Sequence, residues 1–178
     1  LNIVAKCQEL GIYNDAQIAY VLATVEHETN NTFKPVREAY WLLSRFSYRK
    51  GSYKGKQAYN RFMRTHLPMK KYYPYYGRGF VQLTWKRNYQ KFTKILNNEY
   101  GKDVDLVRNP DDALDFDNSL IILIHGMIYG TFSGKKLNDY INDDIIDFVN
   151  ARKIINGTDK AVHISRLSSK YLNKLKEF

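Results

Sequence analysis

Apolar positions recur at helical spacing through most of the chain. Ile3, Val4, Cys7 and Leu10 line one face of a short first helix, which Gly11 stops, glycine being the residue that most readily turns a chain past a helix end. Asp15 is placed to cap a second helix, whose Ile18, Val21, Leu22 and Val25 form a core-facing stripe. After Pro35 the periodicity weakens. Residues 47–76 are rich in Tyr, Lys, Gly and Ser and are expected as irregular structure with one short helix around Gln57 to Arg64. Arg78 to Leu83 reads as a short strand or an extended loop, because Gly79 breaks a helix while Phe80 and Val81 favour extended backbone. Helical spacing returns over Trp85 to Asn98, Asp112 to Tyr129, Leu137 to Ile155 and Thr158 to Lys174, the third carried by Ile141, Ile145, Phe148 and Val149. There is no repeat, long linker or low-complexity tail. The pattern predicts one mainly α domain over residues 1–178 with a small irregular or β-containing lobe at about 45–76.

A chain of 178 residues is long enough to bury roughly 70% of its unfolded surface, so it needs no disulfide or metal to hold it together. Cys7 is the single cysteine. It reads as a small core residue rather than a nucleophile, and a chain that cannot form an internal disulfide suits folding in a reducing compartment. No run of about 18 apolar residues is present to span a membrane. The chain begins at Leu1, which leaves a removed leader open. Net charge is +10 and the pI about 9.5, so the protein should concentrate near polyanions such as nucleic acid, anionic lipid or an acidic cell wall. Arg45, Arg49, Lys50, Lys54, Lys56, Arg61, Arg64, Lys70 and Lys71 follow one another with no Asp or Glu between them, a surface patch that does not by itself name its partner.

Most catalytic constellations are missing. His27-Glu28 is followed by Thr29, Asn30 and Asn31, so the second histidine of a zincin motif is absent. His66, His125 and His163 are scattered and give no ligand set at metal spacing. Neither a Gly-rich phosphate loop nor a nucleophile elbow occurs. Carboxylates remain, which implies a hydrolase with no metal and no cofactor. Glu28 ends the second helix and Glu38 stands ten positions further on, in the loop. Such a pair can face each other across a cleft and hydrolyse a glycosidic bond, one as acid and one as base. At about 100° per residue Glu28 lies roughly 70° from the centre of the apolar stripe and Glu26 roughly 90° on the other side, so helical geometry alone admits either.

His27-Glu28-Thr29 is followed in order by Tyr76-Gly77-Arg78-Gly79-Phe80-Val81-Gln82-Leu83-Thr84, Asn88-Tyr89, Asn109-Pro110, Ile155-Asn156-Gly157 and Arg166. This succession, from about residue 15 to about residue 170, resembles the family 19 glycoside hydrolases, which include plant-type chitinases and phage endolysins that cut peptidoglycan. The resemblance implies a lysozyme-like or chitinase-like helical fold with a cleft. It also implies that Glu28 is the general acid and Glu38 the general base. The acid needs partial burial to stay protonated near neutral pH, whereas the base must be ionised and reach a water.

The same resemblance makes Thr84 a holder of the attacking water, Gln82 and Asn88 sugar-binding or water-positioning residues, and Asn156 a sugar contact. Arg166 matches a basic residue close to the acid, with Asp159 or Lys160 standing where its acidic partner is expected, and His27 can orient Glu28. Plainer roles compete at several positions. Glu38 can be a loop charge paired with Arg37, Thr84 a helix N-cap, and Asn156-Gly157 a turn. Arg78 and Gly79 suit backbone geometry and salt bridging. Tyr76, with Tyr72, Tyr73 and Tyr75, offers either a face for sugar stacking or a local core.

The expected function is an endolysin-type glycosidase that cleaves the β-1,4 bonds of peptidoglycan with inversion, its two carboxylates about 6.5–9.5 Å apart. Chitin is the related alternative substrate. A noncatalytic binder of polyanions or nucleic acid, built on Arg45 to Arg87, would explain the charge but not the carboxylate pair, and no nucleic-acid motif supports it. The endolysin expectation carries with it a monomer made in bacterial cytoplasm that acts on the wall after release.

Overall fold

The computed structural model describes residues 2–42 and 53–177, so Leu1 and, from the basic run, Arg45, Arg49, Lys50 and the Lys54 side chain lie outside the described residues. In chain order its elements are α1 (Asn2–Glu9), α2 (Asp15–Glu28), β1 (Val36–Arg37), α3 (Tyr53–Thr65), β2 (Arg78–Gly79), α4 (Lys86–Tyr100), α5 (Phe116–Tyr129) and α6 (Ala161–Leu175), with short 3-10 turns between them. The mainly α prediction holds. Among the described residues no helix is long and apolar enough to cross a membrane. Two compact units are formed, one from Leu1–Phe33 with Leu120–Phe178 and the other from Lys34–Ser119.

In the first unit α2 packs on α6. Ile18, Ala19, Tyr20, Val21, Ala23 and Val25 of α2 are all buried, so the helix is enclosed on most of its circumference rather than along one stripe. Its cap is Asn14 rather than Asp15: the Asn14 side-chain oxygen accepts from the backbone N–H of Ala16 (2.9 Å) and Gln17 (3.1 Å). Cys7 is fully buried, and burial pushes its thiol up to about 12, which leaves it an inert core group. The Thr29 hydroxyl closes α2 by donating to the Val25 carbonyl (2.7 Å) and accepting from the Phe33 N–H (2.9 Å).

The helix predicted over Leu137 to Ile155 does not form. That stretch holds 3-10 turns at Leu137–Asp139 and Asn150–Ile154 with an antiparallel bridge between Ile141 and Ile146. Short polar side chains capture the backbone instead. Asn142 accepts from the N–H groups of Asp144 (2.9 Å) and Ile145 (3.0 Å), and Asp147 accepts from that of Asn150 (3.0 Å). Ile141 and Phe148 are buried, but Ile145 and Val149 are exposed, so the apparent stripe is not one face.

In the second unit β1 and β2 pair antiparallel, with Val36 opposite Gly79 and Arg37 opposite Arg78. Gly79 takes a left-handed backbone conformation, and a Cβ there would lie 2.6 Å from the Ser119 hydroxyl oxygen. That hydroxyl accepts the Phe80 N–H at 2.8 Å. Only glycine fits both demands. Arg78 is 3% exposed. It bonds to Asp111, the Pro74 and Tyr76 carbonyls and the Tyr89 hydroxyl, a structural role as its sequence context suggested. The helix predicted from Asp112 breaks at Asp115, whose carboxylate accepts from the Asn118 N–H (2.9 Å) and so starts α5.

Candidate active site

Glu28 ends α2, in a last turn that also holds Glu26 and His27. Its Oε1 accepts from Arg152 Nη1 at 2.8 Å, with side-chain exposures of 18% for Glu28 and 2% for Arg152. Arg152 comes from the 3-10 turn Asn150–Ile154 and is fixed further by donating from Nε to the Asp159 carbonyl (2.9 Å). A buried guanidinium held at two points orients the carboxylate it touches. In the sequence Arg152 carries little signal beyond being a basic residue in the stretch Val149 to Ile155, whose spacing reads as helix.

Arg166 is not that partner. It lies exposed on α6, and Asp159, offered as its acidic companion, contributes a backbone carbonyl to Arg152. The two helix carboxylates are also told apart. Glu26 accepts from the Tyr171 hydroxyl on α6, whereas Glu28 meets a cation. His27 is half-buried beside Glu28, its ring edge-on to His163 at 5.5 Å. Burial, aided by the charges of Arg152 and His163 and opposed by Glu28, holds its imidazole below the usual histidine value. Asn156 is exposed, and its backbone N–H donates to the Arg152 carbonyl (3.0 Å) in the turn expected there.

Glu38 follows β1 and is held at four atoms. Its Oε1 accepts from the Tyr72 hydroxyl (2.5 Å) and its Oε2 from the Gly77 N–H (2.7 Å). Its own N–H donates to the Gly77 carbonyl (2.7 Å), and its carbonyl accepts from the Tyr59 hydroxyl (2.6 Å). Gly77 has no room for a side chain, since a Cβ would come 2.7 Å from Gln82 Oε1. Burial and the bond to Glu38 push the Tyr72 phenol up, which keeps it a donor, and its ring stands edge-on to the exposed Trp85 at 5.2 Å. Arg37, the plainer candidate partner of Glu38, instead donates to Asp111 (2.8 Å) and to the Tyr76 hydroxyl (2.7 Å).

The remaining predicted residues of this unit have mixed fates. Thr84 Oγ1 donates to the Gln82 carbonyl (2.8 Å), which leaves its lone pairs able to accept; it is not the cap of α4, a position taken by Trp85. Gln82 donates from Nε2 to the Val36 and Gly79 carbonyls (2.9 and 3.2 Å), and Asn88 from Nδ2 to the Thr84 carbonyl (2.7 Å). Both keep a side-chain oxygen to accept with. Tyr76 cannot stack on a sugar: it is 2% exposed, in a cluster with Ala39, Tyr59 and Met63, and the Arg78 guanidinium lies 3.8 Å from its ring centre. Tyr72, grouped with it in the sequence as either a stacking face or a local core, packs against that cluster and also donates to the Glu38 carboxylate. Among the described residues no group of His, Cys, Asp and Glu is arranged to hold a metal ion.

Each unit thus holds one glutamate fixed by dedicated donors, Glu28 by Arg152 in the first and Glu38 by Tyr72 and Gly77 in the second. Residues 11–128 match the family described as chitinase class I. The chain therefore belongs to glycoside hydrolase family 19, has its mainly α, lysozyme- and chitinase-like fold, and is a glycosidase acting on polysaccharide. The match contains Glu28, Glu38, Gln82, Thr84 and Asn88 and ends before Arg152. No curated protein and no solved structure matches the chain.

Proposed function

We propose that this glycosidase cleaves the β-1,4 bonds of peptidoglycan by single displacement, with Glu28 as general acid and Glu38 as general base. The observation that carries the assignment is the way the donors divide the oxygens. Arg152 occupies Oε1 of Glu28, so Oε2 is the oxygen to carry a proton to the leaving glycosidic oxygen. Glu38 receives only hydrogen-bond donors and keeps lone pairs for a water. Thr84 Oγ1, its own proton committed to Gln82, accepts the second hydrogen of that water and aligns it.

In the reaction the water oxygen bonds to the anomeric carbon as the bond to the leaving oxygen breaks. Glu38 takes the water's proton and Glu28 supplies the leaving group's, so charge balances in one step. Arg152 then sits as a fixed positive charge beside the new Glu28 carboxylate.

A net charge of +10 suits an anionic wall better than neutral chitin. A single cysteine suits a chain folded in bacterial cytoplasm and active on the wall after release, as a monomer. Clearing of a peptidoglycan suspension, run beside a soluble chitin oligomer, tests both parts. Wild type should clear peptidoglycan, and Glu28→Gln should be slower by about 100-fold or more. Near-wild-type clearing by the variant would sink the role of Glu28, and hydrolysis of chitin alone would move the substrate.

A further inference from the structure

Fourteen of the chain's 28 Lys and Arg residues, and none of its 18 Asp and Glu, lie between Ala39 and Asn98, so that segment carries +14 and the rest of the chain −4. Of that charge, Arg61, Arg64, Lys70 and Lys71 are exposed on α3 and in the residues just after it. Within the second unit, α3 and the residues after it line a cavity of about 750 Å³. Its wall includes Asn60, Arg61, Phe62, Arg64, His66 and Tyr73. Arg61 and Arg64 are exposed, and neither has a carboxylate partner among the described residues. Among the described residues Arg37, Arg78 and Arg152 are each held by Asp or Glu.

Two unpaired guanidiniums three residues apart on a helix share a face and present planar pairs of N–H groups that match the oxygens of a phosphate or carboxylate. Beside them His66 stacks on Phe62, with ring centroids 4.0 Å apart and an interplanar angle of 17°. The pair gives a flat surface against which a sugar or polyol can lie. The cavity is far larger than a bare ion requires.

We propose that this cavity is a second, noncatalytic polysaccharide site that takes the oxyanion groups carried on the wall polymer, with Arg61 and Arg64 as their ligands. For the nature of the polymer the proposal rests on the peptidoglycan assignment. The shared chemistry is an oxyanion on a glycan, from either a phosphodiester chain attached to the wall or the carboxylates of peptidoglycan itself.

Retention on insoluble walls and on chitin beads tests it, read in the Glu28→Gln chain so that the polymer persists. Released sugar would then report a failure of the catalytic assignment, separately from any result at this site. Arg61→Gln with Arg64→Gln should weaken wall binding by about 30-fold at about 0.1 M salt, as two lost charge-assisted bonds imply. It should also flatten the salt dependence, move chitin binding by less than about twofold, and keep the unfolding midpoint of its parent. A charge-matched control at exposed positions outside the cavity, Lys94→Gln with Lys170→Gln, should lose less than about threefold. Loss of affinity when phosphate polymers are stripped from the wall assigns the anion to phosphodiester, and retention assigns it to carboxylate; both support the site. Wild-type retention by the arginine variant, an equal loss in the lysine control, an equal loss on chitin, or tighter binding of single-stranded DNA through the same arginines would each overturn it.

Discussion

Replacing Arg152 with Met tests how Glu28, the proposed acid, is held. The substitution removes the donor on Glu28 Oε1 (2.8 Å) and the one on the Asp159 carbonyl (2.9 Å) while filling much of the same volume. Removing one partner of a fully buried ion pair costs about 3–5 kcal/mol, most of it the unpaired charge left behind. The Glu28 side chain is 18% exposed and water recovers part of that, so the expected loss is about 2–3 kcal/mol. For a chain of this length each kcal/mol lowers the unfolding midpoint by about 2–4 °C, which gives a fall of about 5–10 °C. Glu28→Gln keeps an oxygen that can accept from Arg152 and should cost about 1 kcal/mol. Urea unfolding of wild type, both single variants and the double variant closes the cycle, and a coupling of about 1–2 kcal/mol is expected. A loss under about 0.5 kcal/mol for Arg152→Met, or a coupling of zero, would refute the claim that this guanidinium fixes the acid.

Two further outcomes follow from the hydrogen bonds and titrations. Tyr72→Phe deletes one of the two donors on the Glu38 carboxylate and should lower kcat by about 10-fold with little change in KM; an unchanged kcat would show that Tyr72 does not position the base. His27 titrates in the folded chain below its ordinary value of about 6.5, so as pH falls the unfolded chain takes the proton first. The stability it contributes is therefore complete above about pH 6.5 and is lost as pH drops toward the folded value. His27→Gln should flatten the stability slope between about pH 7 and about pH 5, read by urea unfolding, and a slope equal to wild type would contradict the assignment.

Legibility in the sequence tracked how local each cause was. The burial of Ile18, Val21, Leu22 and Val25 and the stop at Gly11 are set by neighbours a few positions apart and are readable, whereas the enclosure of the rest of α2 depends on tertiary packing that its own spacing does not show. The third predicted helix failed because Ile141, Ile145, Phe148 and Val149 mimic helical spacing, while Asn142 and Asp147 offer the backbone competing bonds that hydrophobic periodicity does not register. Glu28 and Glu38 stand out as candidates through the ordered motifs around them. Arg152 does not, because its meaning lies in a contact 124 positions away from Glu28. Tyr72 was one of four similar tyrosines, and only the fold distinguishes it, bonded to Glu38, from the enclosed Tyr76.

Single displacement by Glu28 and Glu38 is tested most directly by the anomer first released. Proton NMR of a β-linked substrate, recorded within the first minutes of hydrolysis and before mutarotation, reads the anomeric signals of the new reducing end. Attack by a water aligned by Glu38 and Thr84 predicts the α-anomer. Initial release of the β-anomer would contradict it and require a covalent or substrate-assisted intermediate in place of a base-activated water.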